Sequence, residues 1–216
     1  MSQHELLRQR EEQHKVKNVI SEKDDVKAKS AAAECIKLLI EKYPNHTFCL
    51  KSSLTVPQIK EYTKVEIDST WNDRKMLPDG GVIWMDNKYP ILITEMKHQG
   101  TNKERMAEGK AKQSTGNAIE RYGKNLIGFH VLYQNDDIFP VIAFCHGCDF
   151  AENEKTVLMK LYTLNGFNKT NVVYTNPTKA RIKPSSILYK VGTWEINEMI
   201  PSMMQIAESA IKYYSR

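Results

Sequence analysis

No stretch of this 216-residue chain is apolar for long enough to cross a bilayer, and Met1 to Lys29 alternate charges without an apolar run of signal-peptide type. A protein that stays in the cytoplasm where it is made, with no membrane partner, is therefore expected. Cysteine is scarce: Cys35, Cys49, Cys145 and Cys148 are too few and too unevenly spaced for a disulfide scaffold, which fits a reducing compartment. Internal repeats and low-complexity tracts are missing too, so the chain reads as one continuous unit. Nor is charge of one sign in great excess, because a net charge of +5 does not by itself name nucleic acid as a partner. What remains is a chain 41% hydrophobic and 26% charged, the composition of a folded globular protein. Its length suits one α/β domain spanning 1–216.

The positive charge is concentrated. Between Lys97 and Lys124 there are seven Lys/Arg against three Glu, so most of the excess lies in one segment. Clustered cations of this kind suit phosphate contact, where release of condensed counterions supplies much of the affinity for DNA. A solvated helix face produces the same pattern, so other features have to decide.

Apolar periodicity outlines the elements. Ala32, Cys35, Ile36, Leu39 and Ile40 recur at helical spacing and stop before Tyr43-Pro44-Asn45. The polar stretch from Lys51 to Asp73, interrupted by Pro57, reads as short helix and loop. Gly81–Met85 and Ile91–Met96 are β-rich runs joined by the polar turn 86–90, which predicts a hairpin. A helical segment is expected through Lys110, a break at Ser114-Thr115-Gly116, and a further helix from Asn117. Phe139–Phe144 has the continuous apolar character of a buried strand, and Asn171–Thr175 is a weaker strand candidate. Met203, Ile206, Ala207, Ala210, Ile211 and Tyr214 form a helical stripe, with Pro201 expected in its first turn. Strands set between helices predict an α/β fold with a mixed central sheet.

The hairpin carries the chemistry. Asp79, in Leu77-Pro78-Asp79-Gly80-Gly81, precedes its first strand, while Glu95 and Lys97 end the second. Side chains two apart on a strand point to the same face, and the hairpin brings Asp79 beside them. Asp79 and Glu95 with the backbone carbonyl of Met96 make a hard oxygen site suited to Mg²⁺. Such an ion polarises a phosphodiester and lowers the pKa of a bound water. Lys97 is placed to orient or help deprotonate that water and to offset charge on the phosphorane. Pro-Asp and Glu-Met-Lys are short fragments of common residues, and it is their setting at the ends of a hairpin that gives them weight.

Pro78-Asp79-Gly80-Gly81, then Glu95-Met96-Lys97-His98-Gln99-Gly100, then Gly116-Asn117-Ala118-Ile119-Glu120-Arg121 resemble, in order and spacing, the EcoRI-type type II restriction endonucleases (EcoRI/MunI-like) of the PD-(D/E)xK superfamily. Weaker likeness lies in Glu12–Lys15, Lys42-Tyr43-Pro44 and Phe144–Gly147. The resemblance implies a restriction-endonuclease-like sheet of about five strands flanked by helices, in a prokaryotic cytoplasmic enzyme. It implies catalysis by Asp79, Glu95 and Lys97 with Mg²⁺, and a homodimer acting on a palindrome in double-stranded DNA. Each subunit would cut one strand, leaving 5′-phosphates and 5′ overhangs, with a companion methyltransferase protecting the host.

By the same resemblance Asn117, Ala118, Glu120 and Arg121 read an inner AATT. Asn pairs with adenine edges, Glu accepts from an exocyclic amine and Arg donates to purine acceptors. Gln113, Ser114, Thr115, Gly116 and Lys124 complete the DNA-contacting segment. Asn117 and Glu120 also have the spacing of a helix capping box, which is compatible with that role. Gln113-Ser114-Thr115 stands where the family has more apolar residues, and this leaves GAATTC, another flanked AATT, RAATTY and AATT alone open.

Two alternatives are weighed against this. A repair nuclease or junction resolvase would share the core but not Asn117–Arg121, and a non-cleaving DNA-binding protein would not need both carboxylates and the lysine. Cys145-His146-Gly147-Cys148 looks like half of a zinc site, but no second pair follows at suitable spacing. His98 reads as a surface histidine, and Trp71, Trp84 and Trp194 as core or interface residues.

Overall fold

The structure is a computed structural model, and it describes residues 3–98, 106, 107, 109, 117–147 and 185–216. It opens on helix α1 (Gln3–Lys42), followed by β1 (Phe48–Lys51), β2 (Leu54–Thr55) and α2 (Val56–Thr63). Next come β3 (Lys75–Met76), β4 (Gly81–Met85), β5 (Tyr89–His98) and α3 (Asn117–Leu132). The chain closes through β6 (Val141–His146), β7 (Ser186–Lys190) and α4 (Ile196–Tyr214). Among the described residues a mixed five-stranded sheet, in the order β1-β4-β5-β6-β7, is flanked by these four helices. Pairing is antiparallel across β1-β4-β5 and parallel across β5-β6-β7. This is the α/β restriction-endonuclease-like architecture expected from the sequence.

The hairpin forms as predicted, with a tighter turn than the expected 86–90. Asp86 and Asn87 both have positive φ, 55° and 52°, as the central residues of a type I′ turn require, and the loop between the paired Met85 and Tyr89 is the three residues 86–88. Asp86 is held there by the Thr47 amide and by His46 Nδ1, each at 2.8 Å. Tyr89 and Pro90 thus join β5, pairing with Met85 and Trp84, and a bulge leaves Ile91 without a partner. The bulge resets the alternation, so that Ile91 and Leu92 are both buried in one cluster while Ile93 turns to the other.

Period-two alternation splits the core between the two faces of the sheet. Ile83, Met85, Leu92, Met96, Ile142 and Phe144 pack against α1 and α4. Val82, Trp84, Ile93, Ala143 and Cys145 pack against α2 and α3. Glu95 and Lys97 continue the alternation of Ile93, and so belong to the α3 face.

Several local expectations shift. Ala32, Cys35 and Leu39 are buried, but Ile40 stays 49% exposed because it lies off the stripe of α1 that meets the sheet. Pro57 starts α2 rather than interrupting it: Thr55 caps the helix and Gln58 closes a capping box, a Thr-x-x-Gln signal present in the sequence. Helix α4 begins at Ile196, so Pro201 falls in the second turn and leaves the Asn197 carbonyl without its helical donor. Strands β1, β2, β3 and β7 were not anticipated. The strand candidate Asn171–Thr175 and most of the expected helix before Lys110 lie outside the described residues. No helix among those described is long and apolar enough to cross a membrane.

Candidate active site

The site grows from the Pro78–Gly81 turn. Gly81 N donates to Pro78 O at 3.0 Å, and Gly80 N donates to Thr94 O at 2.9 Å, which extends the β4-β5 ladder to the turn. Glycine is required twice. Gly81 has φ +78°, and a Cβ on Gly80 would sit 2.7 Å from Cβ of Thr94 and 3.3 Å from that of Ala28 on α1. This packing of turn, strand and helix delivers the Asp79 carboxylate to the end of β5.

There Asp79 Oδ2 accepts from the Met96 amide at 2.9 Å. The side chain thereby partners an amide at the end of β5, beyond the last β4-β5 pair, Gly81 with Thr94. Lys97 Nζ lies 2.5 Å from both Asp79 Oδ2 and Glu95 Oε2, so the ammonium bridges the two carboxylates. Glu95 Oε1 accepts from Asn125 Nδ2 of α3 at 2.9 Å. Asp79 and Lys97 keep 19% and 15% side-chain exposure, whereas Glu95 has none. The site is open at Asp79 and sealed behind Glu95.

Burial raises the Glu95 carboxyl, up to about 8; Lys97 opposes the shift and the charge on Asp79 adds to it. Burial works to lower Lys97, but Glu95 and Asp79 outweigh it and hold the ammonium above its ordinary range. On α1, Asp25 is raised by partial burial and by the nearby charge of Asp79, with Lys29 and Lys97 opposing. Below Glu95, Tyr122 donates to Ser185 Oγ at 2.9 Å, and burial pushes its phenol well above the usual range.

A divalent cation fits this donor set. Two hard carboxylates already gather a positive charge, that of Lys97, between them. Among the described residues no three His, Cys, Asp or Glu side chains form a cage. A hard ion here would complete its shell with a backbone carbonyl, water and substrate oxygens, as Mg²⁺ prefers.

Comparison with known proteins supplies the deciding observation. Residues 13–160 match the sequence profile of the family described as "Restriction endonuclease EcoRI". The chain belongs to the EcoRI restriction endonuclease family. It is 25% identical over 236 residues to the type II restriction enzyme RsrI of Cereibacter sphaeroides, covering 89% of this chain and 85% of that protein. It is 27% identical over 132 residues to the type II restriction enzyme EcoRI of Escherichia coli, covering 53% of this chain and 47% of that protein. Type II restriction endonucleases bind double-stranded DNA and use a divalent metal ion, the two demands that the charge distribution and the carboxylate pair place on this member of the EcoRI family.

Of the DNA-contacting residues expected in this EcoRI-family chain, α3 carries five. Asn117 opens the helix. Ala118 is only 8% exposed and gives its side chain to the core, while Glu120, Arg121 and Lys124 face solvent. Gln113, Ser114, Thr115 and Gly116 lie outside the described residues. Asn125 and Asp25 escaped the sequence reading. Asn125 has a signal in hindsight, as a polar residue on the same helical stripe as Ala118, Tyr122 and Phe129. Asp25 has none, because only the packing of α1 brings it near Asp79.

The Cys-His-Gly-Cys segment is built into the fold differently from a zinc knuckle. Cys145 is in mid-sheet and burial pushes its thiol up to about 12, which disfavours the thiolate that binds metal. His146 Nε2 lies 2.9 Å from Asp24 Oδ2 of α1, and its ring stacks on exposed His98 at 4.5 Å. Cys148 lies outside the described residues. Trp84 is core, and Trp194 donates from Nε1 to the Cys145 carbonyl at 2.9 Å.

Proposed function

We propose that this protein is a Mg²⁺-dependent type II restriction endonuclease that cuts both strands of duplex DNA at a palindrome containing AATT. The observation that carries the reading is the convergence of Asp79, Glu95 and Lys97 at one end of β5, with Glu95 hydrogen-bonded to the helix that bears Asn117, Glu120 and Arg121. Asp79, Glu95 and the Met96 carbonyl hold the ion. Bound there, Mg²⁺ supplies Lewis-acid polarisation of the phosphodiester and a more acidic water. Lys97 orients the attacking water and donates to the phosphoryl oxygens as negative charge builds on them. The products carry 5′-phosphates and 5′ overhangs.

The base edges are read from the start of α3 by Asn117, Glu120 and Arg121, supported by Gln113, Ser114, Thr115, Gly116, the Ala118 backbone and Lys124. A palindrome is a two-fold object, and a homodimer presents two such helices and two catalytic centres to it. A companion methyltransferase acting on the same sequence protects the host genome.

Digestion of a plasmid of known sequence with the purified protein and Mg²⁺ is expected to yield discrete fragments whose ends map to AATT sites. The flanking bases at those ends give the outer base pair. A smear, or intact plasmid, overturns the reading. Arg121→Ala is expected to weaken binding to the cognate duplex by about 1–3 kcal/mol, roughly 5- to 150-fold, with far less effect on non-cognate DNA. Anisotropy titrations at one fixed salt concentration measure it; an equal loss on both duplexes would reduce Arg121 to a phosphate contact.

A further inference from the structure

We propose that Asn125 is a positioning residue for the ion-binding carboxylate of Glu95, through which helix α3 holds that carboxylate ready for the metal. The inference rests on the nuclease reading above and extends it to a residue outside both the catalytic trio and the DNA-reading segment.

Helix α3 turns Ala118, Tyr122, Leu126 and Phe129 into the core. Asn125 is three residues after Tyr122 and four before Phe129, so it lies on the same sheet-facing stripe. An amide held against a sheet must find a partner, and the partner here is 30 residues away on β5, where Asn125 Nδ2 donates to Glu95 Oε1 at 2.9 Å. The amide presents its NH₂ end, Nδ2, to Oε1, an orientation in which it can hold the ionised carboxylate that a metal would require.

The two oxygens of Glu95 are thus divided. Oε2 faces Lys97 and, across it, Asp79, the side on which a cation is gathered. Oε1 is committed to α3. The lysine is a long side chain on the same strand as Glu95 and can withdraw as a metal enters. Asn125 is short, with two side-chain torsions, on a helix packed against the sheet, and so it fixes the plane of the carboxylate whichever cation lies at Oε2. Partners of this kind around metal ligands alter metal affinity by about 10- to 100-fold when removed.

The test uses the full-length protein, with Mg²⁺ uptake followed by titration calorimetry in the absence of DNA. Cognate DNA binding without metal and the Mg²⁺ dependence of cleavage at saturating DNA are measured alongside. Asn125→Ala is expected to raise the dissociation constant for Mg²⁺ about 10-fold or more. It should leave ion-free DNA binding within about 2-fold, and cleavage should recover most of its rate as Mg²⁺ is increased, a pattern general loosening of the fold would not produce. Asn125→Gln, which keeps the donor, is expected to restore part of the Mg²⁺ affinity. Asn125→Ser, polar but too short to reach Glu95, should behave as the alanine variant does and replaces it if that variant fails to fold.

An unchanged Mg²⁺ dissociation constant overturns the proposal, as does a loss of DNA affinity that accounts for the whole loss of cleavage. A wild-type protein that takes up Mg²⁺ but cuts no DNA overturns the nuclease reading instead, and the calorimetric comparison still decides the role of Asn125. A wild type that takes up no Mg²⁺ overturns both.

Discussion

Lys97→Ala is expected to slow DNA cleavage by at least ~10³-fold while leaving cognate binding within a few-fold of wild type, because one preorganised charged donor at a reacting centre is worth about 10²–10³ and, in the proposed mechanism, Lys97 also orients the water. The structure adds an asymmetry that separates it from its neighbours. The Lys97 ammonium bridges Asp79 and Glu95, so a cation would compete with it for the same oxygens. Removing it should leave Mg²⁺ affinity unchanged or tighter. Asp79→Ala removes a proposed ion ligand and the acceptor for the Met96 amide at once, and should lose both cleavage and Mg²⁺ uptake. Single-turnover cleavage with calorimetric Mg²⁺ titration distinguishes the two variants. Normal cutting by either would remove that residue from the mechanism.

Glu95→Gln is expected to abolish cleavage and at the same time to stabilise the ion-free fold, increasingly so as pH rises. Glu95 is fully buried, and burial raises its carboxyl from 4.5 to about 8, with Asp79 adding to the shift against the opposition of Lys97. The folded protein therefore keeps a proton that the unfolded chain has already released. Stability from this group falls as pH climbs through the window between 4.5 and about 8, and it is level above and below it. Glutamine has the shape of the protonated acid and escapes the penalty. The melting temperatures of variant and wild type should converge near pH 4.5 and separate towards pH 8, by about 2–4 °C for each kcal/mol removed.

Excess Mg²⁺ should reverse the order at pH 8, since on the proposed function only a site that keeps the Glu95 carboxylate would bind the ion tightly enough to stabilise the fold by mass action. By the same linkage wild-type Mg²⁺ affinity should rise with pH up to about 8, because a proton and the ion would compete for one carboxylate. A separation of melting temperatures that does not change with pH would sink this account.

What was legible in the sequence is what short-range physics controls. The β4-β5 hairpin follows from two apolar strands around Asp-Asn, whose side chains tolerate positive φ. That Glu95 and Lys97 share a face follows from the two-residue period of a strand. The stripe Ala32-Cys35-Leu39 and the burial of Val141–Phe144 follow equally from spacing and composition. The Thr55-x-x-Gln58 cap was legible also, although Pro57 obscured it as a helix start.

The tertiary structure alone decided which partners these elements meet. Ile40 has the composition of a core residue, yet its place around α1 turns it to solvent. Strand β7 is five residues long and gains its place from parallel pairing with β6, whose register no local pattern encodes. The Asn125–Glu95 bond, the approach of Asp25 to Asp79 and the Asp24–His146 pair all join residues at least 30 positions apart. Local conformation depends on neighbours a few bonds away and is written in the order of residues. The environment of a carboxylate depends on what a distant helix brings against it, and that exists only once the chain has folded.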